Sequence, residues 1–143
     1  MSTAVPPTPS VAAVRLFVAN DPDGRWDELT DGVEQAVRVV ADDLSQARRA
    51  RARIRAESDV AVILDMTVSV ADDFRSARAE LEAVDGVRYA GTVDGLAGLI
   101  ADIATAGVAD GVTLIAASPR QDLRALGSDV LDWLAIRGHA RAS

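Results

Sequence analysis

The chain has 143 residues, 49% of them hydrophobic, so one domain with a real core is within reach. Its net charge of −7 argues against general affinity for nucleic acid or anionic membrane. There is no cysteine and one histidine, which leaves no disulfide, no thiolate chemistry and no histidine-based metal cluster.

All 15 basic residues are arginine, which together with the abundant Ala, Val and Asp reads as a coding bias. Nothing apolar is long enough to span a bilayer, and the N-terminus lacks a basic region followed by an apolar one. The default expectation is a cytoplasmic protein. Residues 1–10, with three prolines, are expected to form a disordered tail. Residues 139–143 are expected to form a short C-terminal tail.

Val11–Ala19 predicts a buried strand, with Arg15 and Phe17 on one face and Val14, Leu16 and Val18 on the other. Asn20-Asp21-Pro22-Asp23-Gly24 is turn chemistry at its C-terminal end. A short helix is expected from Trp26 to about Gly32, with Trp26 and Leu29 turned inward. The next stretch allows two readings. Trp26, Leu29, Val33, Val37, Val40, Leu44 and Ala47 fit one long helix, whereas Ala36–Val40 fits a short strand. Gly32 and the run Val37-Arg38-Val39-Val40 favour the break.

Asp42 or Asp43 is expected to cap a helix running to about Ala56. Its arginines at 48, 49, 51, 53 and 55 suggest a nucleic-acid surface or, more simply, a solvated face. No aromatic residues interleave to stack bases. Val60–Val70 is the clearest strand: Val60, Val62, Leu64, Met66, Val68 and Val70 line one face, and Ala61, Ile63, Asp65, Thr67 and Ser69 the other. Asp72 and Asp73 then begin a predicted helix to about Val84.

Thr92 sits where an N-cap belongs, Asp94 falls in the first turn, and Leu96, Leu99, Ile100 and Ile103 form an apolar stripe. Gly107 suits a left-handed C-cap. Val112–Ala117 predicts a strand covered on both faces. A last helix is expected from Pro119 to Arg137, capped by Ser118, with Leu123, Leu126, Val130, Leu131 and Leu134 inward and a possible split at Gly127-Ser128.

Gly91-Thr92 opening an apolar helix, then Ala106-Gly107-Val108 and Asp110-Gly111-Val112 before the last strand, resembles the C-terminal end of luciferase-like flavin or deazaflavin monooxygenases. Ser118-Pro119 before a helix ending in Arg137-Gly138 fits the same ending. The resemblance spans roughly residues 11–138. It implies the second half of a (β/α)8 barrel, which needs about 250 residues when whole. The expected fold is therefore α/β: a half TIM-barrel-like sheet of four parallel strands, near 11–19, 36–40, 60–70 and 112–117, with helices around it. Unpaired strand edges would then favour a homo-oligomer or a partner chain completing the barrel.

The resemblance also implies a possible oxidoreductase or monooxygenase using FMN or the deazaflavin F420, acting within an oligomer or composite site, with no metal. Asn20, Gly24 and Arg25 are the candidates for holding the cofactor phosphate, since open N–H groups near a helix start attract anions. The serine expected there is missing, and Asp21 and Asp23 would repel a phosphate. Two other places attract attention: the polar strand face of Asp65, Thr67 and Ser69 with Arg15, Arg38 and Thr113, and the Gly91–Asp94 turn. A structural ion pair and a plain helix cap are the simpler accounts of these two. His139 belongs to the tail. The other functional class is a non-catalytic binding or regulatory module, or a degenerate remnant of the family.

Overall fold

A computed structural model describes residues 14–19, 25–70, 86–117 and 122–136. The expectations for the N-terminal tail, the Asn20–Gly24 turn, the helix near 72–84, Ser118-Pro119 and His139 fall outside those residues. The described parts form a mixed α/β protein with a curled, open sheet and three helices.

Four strands are parallel: β1 (Arg15–Ala19), β3 (Ala36–Val39), β4 (Ala61–Val70) and β6 (Gly111–Ala116). They match the four expected strand positions, and a break at β3 replaces the single long helix. A fifth parallel strand, β5 (Arg88–Gly91), was not expected; it pairs with the last four residues of β4.

The helix expected from Trp26 to Gly32 is not there. Trp26–Glu28 is instead β2, antiparallel to β1 with Ala19 opposite Trp26 and Phe17 opposite Glu28. The reason is tertiary. As a strand, this segment stacks the Trp26 ring on Phe17 at a centroid distance of 4.3 Å and pairs Glu28 with Arg15. Helix propensity over so few residues does not compete with that burial.

The strand order is β2-β1-β6-β4-β3, with β5 continuing the β3 edge of β4. Successive strands of a (β/α)8 barrel follow one another around the sheet. Here β1 lies beside β6, so the likeness to such a barrel extends to parallel strands, curl and helix placement but not to strand order. The curl follows from the two ends of the sheet. Four strand spacings would hold β2 and β3 roughly 19 Å apart in a flat sheet. Yet the Arg38 guanidinium lies 5.6 Å from the centre of the Trp26 ring, and Arg15 Nη1 donates to the Glu34 carbonyl at 2.7 Å.

The convex face holds the main core. Leu16, Val18, Leu64, Met66, Val68, Val112 and Leu114 pack there against the helices. Helix α1 (Leu44–Arg55) is capped by Asp43, whose carboxylate accepts the Gln46 N–H at 2.7 Å. Helix α2 (Val93–Thr105) buries Leu96, Ala97, Ile100, Ala101 and Ile103. Its end is a Schellman turn: Gly107 at φ +73° lets its own N–H reach Ala104 and the Val108 N–H reach Ile103. Helix α3 (Leu123–Ile136) runs unbroken through Gly127 and buries Leu123, Leu126, Val130 and Leu134.

Asp110, just before β6, ties three elements together. Its carboxylate accepts from Arg51 at 2.9 Å, Arg55 at 3.5 Å and the Val62 N–H at 2.8 Å. Two of the five α1 arginines are thus structural. Asp110→Ala is expected to cost about 2 kcal/mol, because two half-buried cations and one strand N–H lose their acceptor together. Chemical denaturation followed by circular dichroism measures it, and Asp110→Asn is expected to recover only part.

Candidate functional site

The strand registers place Arg15, Phe17, Trp26, Glu28, Arg38, Asp65, Thr67, Ser69 and Thr113 on one face, the concave one. The polar face expected from alternation therefore assembles, with Trp26 and Glu28 added to it. Around Phe17 the side chains form a layered stack. Arg15 lies 5.5 Å from the Phe17 ring centre, Trp26 stacks on Phe17, and Arg38 lies over Trp26. Such cation–aromatic layers gain from the electron-rich ring faces when water is displaced.

Each cation in the stack has its carboxylate. Arg38 grips Asp65 through two parallel bonds, Nε to Oδ1 at 3.1 Å and Nη2 to Oδ2 at 2.8 Å. Asp65 is only 7% exposed. Arg15 grips Glu28 in the same forked way, at 2.9 and 2.7 Å. The Trp26 indole N–H donates to the buried Thr113 hydroxyl at 2.8 Å. Phe17 and Trp26 also join Ala61, Ile63 and Ala36 in a second small core. Among the described residues, no buried side-chain nitrogen or oxygen lacks a partner.

Glu28 also accepts from the Thr30 hydroxyl and the Gly32 N–H. Burial pushes its carboxyl up, but the Arg15 and Thr30 hydrogen bonds, the Arg15 charge and the Gly32 N–H outweigh it and hold Glu28 below the usual glutamate range. The hydrogen bond to Glu28 raises the Arg15 guanidinium in turn, against the opposing effect of burial. A carboxyl lowered by folding stabilises the native state above its unfolded value, and that contribution is lost as pH falls through the folded value. Thermal stability is therefore expected to hold from neutral pH to about 4.3, the ordinary glutamate value, and to drop below it. Glu28→Gln should flatten this acid limb; an unchanged limb would remove Glu28 as its cause.

Of the three residues predicted to hold a cofactor phosphate, Asn20 and Gly24 lie outside the described residues. Arg25 is described: its side chain is 83% exposed and donates to Asp27 at 3.1 Å. Asp27 is shared with Arg124 at 3.0 Å. The Gly91–Asp94 turn is a helix cap. The Thr92 hydroxyl accepts the Gly95 N–H at 3.4 Å and donates to Asp94, and the Tyr89 hydroxyl donates to the Thr92 carbonyl at 2.9 Å. Burial raises the Tyr89 phenol, which keeps that donor protonated.

Among the described residues no three His, Cys, Asp or Glu side chains gather as a metal site, and no helix is long and apolar enough to cross a membrane. The Arg38–Asp65 pair is legible from strand alternation. The Arg15–Glu28 pair and the place of Trp26 are not, because Trp26-Asp27-Glu28-Leu29 would put one apolar and one acidic residue on each face of a strand and so carries no alternation signal. A scan against protein-family models and a search of curated proteins both find no match.

Proposed function

We propose that this chain is a non-catalytic α/β module of luciferase-like descent that binds or regulates as part of an assembly and does not turn over substrate by itself. One observation carries the reading. The concave face, the counterpart of a barrel's interior, is filled by paired groups: Arg15 with Glu28, Arg38 with Asp65, Trp26 with Thr113. A carboxylate that takes both prongs of an arginine is committed to structure, and a general base needs to face its substrate. The assembly would be with a second copy or with a chain completing the curl.

A second reading keeps the oxidoreductase. Arg25 stands just before β2, at the C-terminal rim of β1, where parallel folds bind ligands. There it would help Asn20 and Gly24 hold the phosphate of FMN or a deazaflavin within a composite site. Titration of the purified chain into FMN and into a deazaflavin, followed by fluorescence, separates the two. The module reading expects no saturable change with either. Saturable binding that weakens in Arg25→Ala would replace it with the oxidoreductase.

A further inference from the structure

Two helix faces of opposite charge lie on opposite flanks of the helical layer. Helix α1 carries five arginines and no acid. Arg51 and Arg55 turn in to Asp110, and Arg48, Arg49 and Arg53 stay on the exposed side. Helix α3 exposes Asp129, Asp132, Trp133 and Ile136, the last at 76%. Arg48, Arg53, Asp129 and Asp132 form no ion pair among the described residues.

The spacings match. Arg49 and Arg53 are separated by one turn, about 6 Å along the axis, and Asp129 and Asp132 by about 4.5 Å. Trp133 adds a ring face beside the acids, and Ile136 an apolar side chain one turn on; arginine packs well against such a ring. Inside one chain the two faces are kept apart. Helix α2 packs against α3, β5 and β6, while α1 packs on β4, so α2 stands between them.

We propose that the α1 face of one copy docks on the α3 face of a second copy of this chain. The contact is head-to-tail, so each added copy leaves one basic and one acidic face open, and the product is a ring or a filament. The net charge of −7 repels copies at long range and makes the basic helix the local attractor. This inference rests on the assembly reading above and names the surface that reading lacks.

The test is sedimentation velocity of the full chain at micromolar concentration, in low and high salt. Wild type is expected to form larger species in low salt that dissociate in high salt. The triple change Arg48→Glu, Arg49→Glu, Arg53→Glu should weaken association at least about tenfold, as should Asp129→Arg with Asp132→Arg. Mixing the two variants should restore it, since each then meets a face of opposite sign. Circular dichroism checks that both fold; if the triple variant does not, Arg49→Gln with Arg53→Gln keeps length while removing charge. A wild type that stays monomeric overturns the docking and leaves the assembly reading with a different chain as its partner. Association that ignores both reversals overturns the docking alone and points to the strand edges. Binding of the basic face to duplex DNA, with no self-association, also overturns it.

Discussion

Gly111→Ala is expected to destabilise the fold by about 3 kcal/mol, at the upper end of overpacking costs. Gly111 starts β6 in the middle of the sheet, paired with Arg15 of β1 on one side and Ile63 of β4 on the other. A Cβ there would sit 2.3 Å from the Arg15 carbonyl oxygen and 2.9 Å from its carbonyl carbon. Backbone atoms in a ladder have no rotamer to escape into, so β1 itself must move. That shift pulls on the Arg15–Glu28 fork and with it β2. Gly127→Ala is the control. Its Cβ would also meet an atom at 2.3 Å, but that atom is the Leu29 Cδ1 methyl, which rotates away. Alanine also gains about 1 kcal/mol over glycine inside a helix. Equal distances therefore predict opposite outcomes, near neutral at 127 and severe at 111. Urea unfolding of both variants decides it; a Gly111→Ala protein within about 0.5 kcal/mol of wild type would show that β1 and β6 are less closely apposed.

The contrast between β4 and β2 shows what the sequence makes legible. In β4 the apolar run Ala61–Leu64 passes into strict alternation, with Asp65, Thr67 and Ser69 on one face and Met66, Val68 and Val70 on the other, so both the strand and the Arg38–Asp65 site follow from the pattern. Helix ends at Asp43, Thr92 and Gly107 follow from local hydrogen bonding, which depends on residues within one turn. Strand β2 depends on partners far along the chain: Thr113 is 87 residues from Trp26. Its Asp-Glu pair reads locally as a helix start. Strand β5, Arg-Tyr-Ala-Gly, is four residues long and too short for alternation to register. The adjacency of β1 and β6 is written in no local pattern, because both are short apolar strands that would fit beside either neighbour. Asp110 is visible in the sequence only as part of the Asp110-Gly111-Val112 motif before the last strand; its three partners sit on α1 and β4.

Asp65→Ala is expected to cost about 3 kcal/mol, the lower range for breaking a buried ion pair, because it leaves Arg38 charged with no acceptor under the trough. The Arg38 side chain is 19% exposed, and its guanidinium is held over Trp26, so it reaches water only by leaving the ring. Loss of the pair should therefore also loosen Trp26, read as a red shift of its emission and, with Trp133 replaced by Phe, without interference from the other tryptophan. Replacing both partners separates structure from function. Arg38→Met with Asp65→Leu fills similar space without charge, and buried pairs exchanged this way are often neutral or stabilising. If the pair is structural, the double variant recovers most of the loss and keeps the wild-type Trp26 emission. If Asp65 instead serves a ligand, the double variant folds as well as wild type but loses the ligand response that wild type shows. Recovery of stability together with an unchanged oligomeric state would leave the trough as scaffold and put the working surface on the helices.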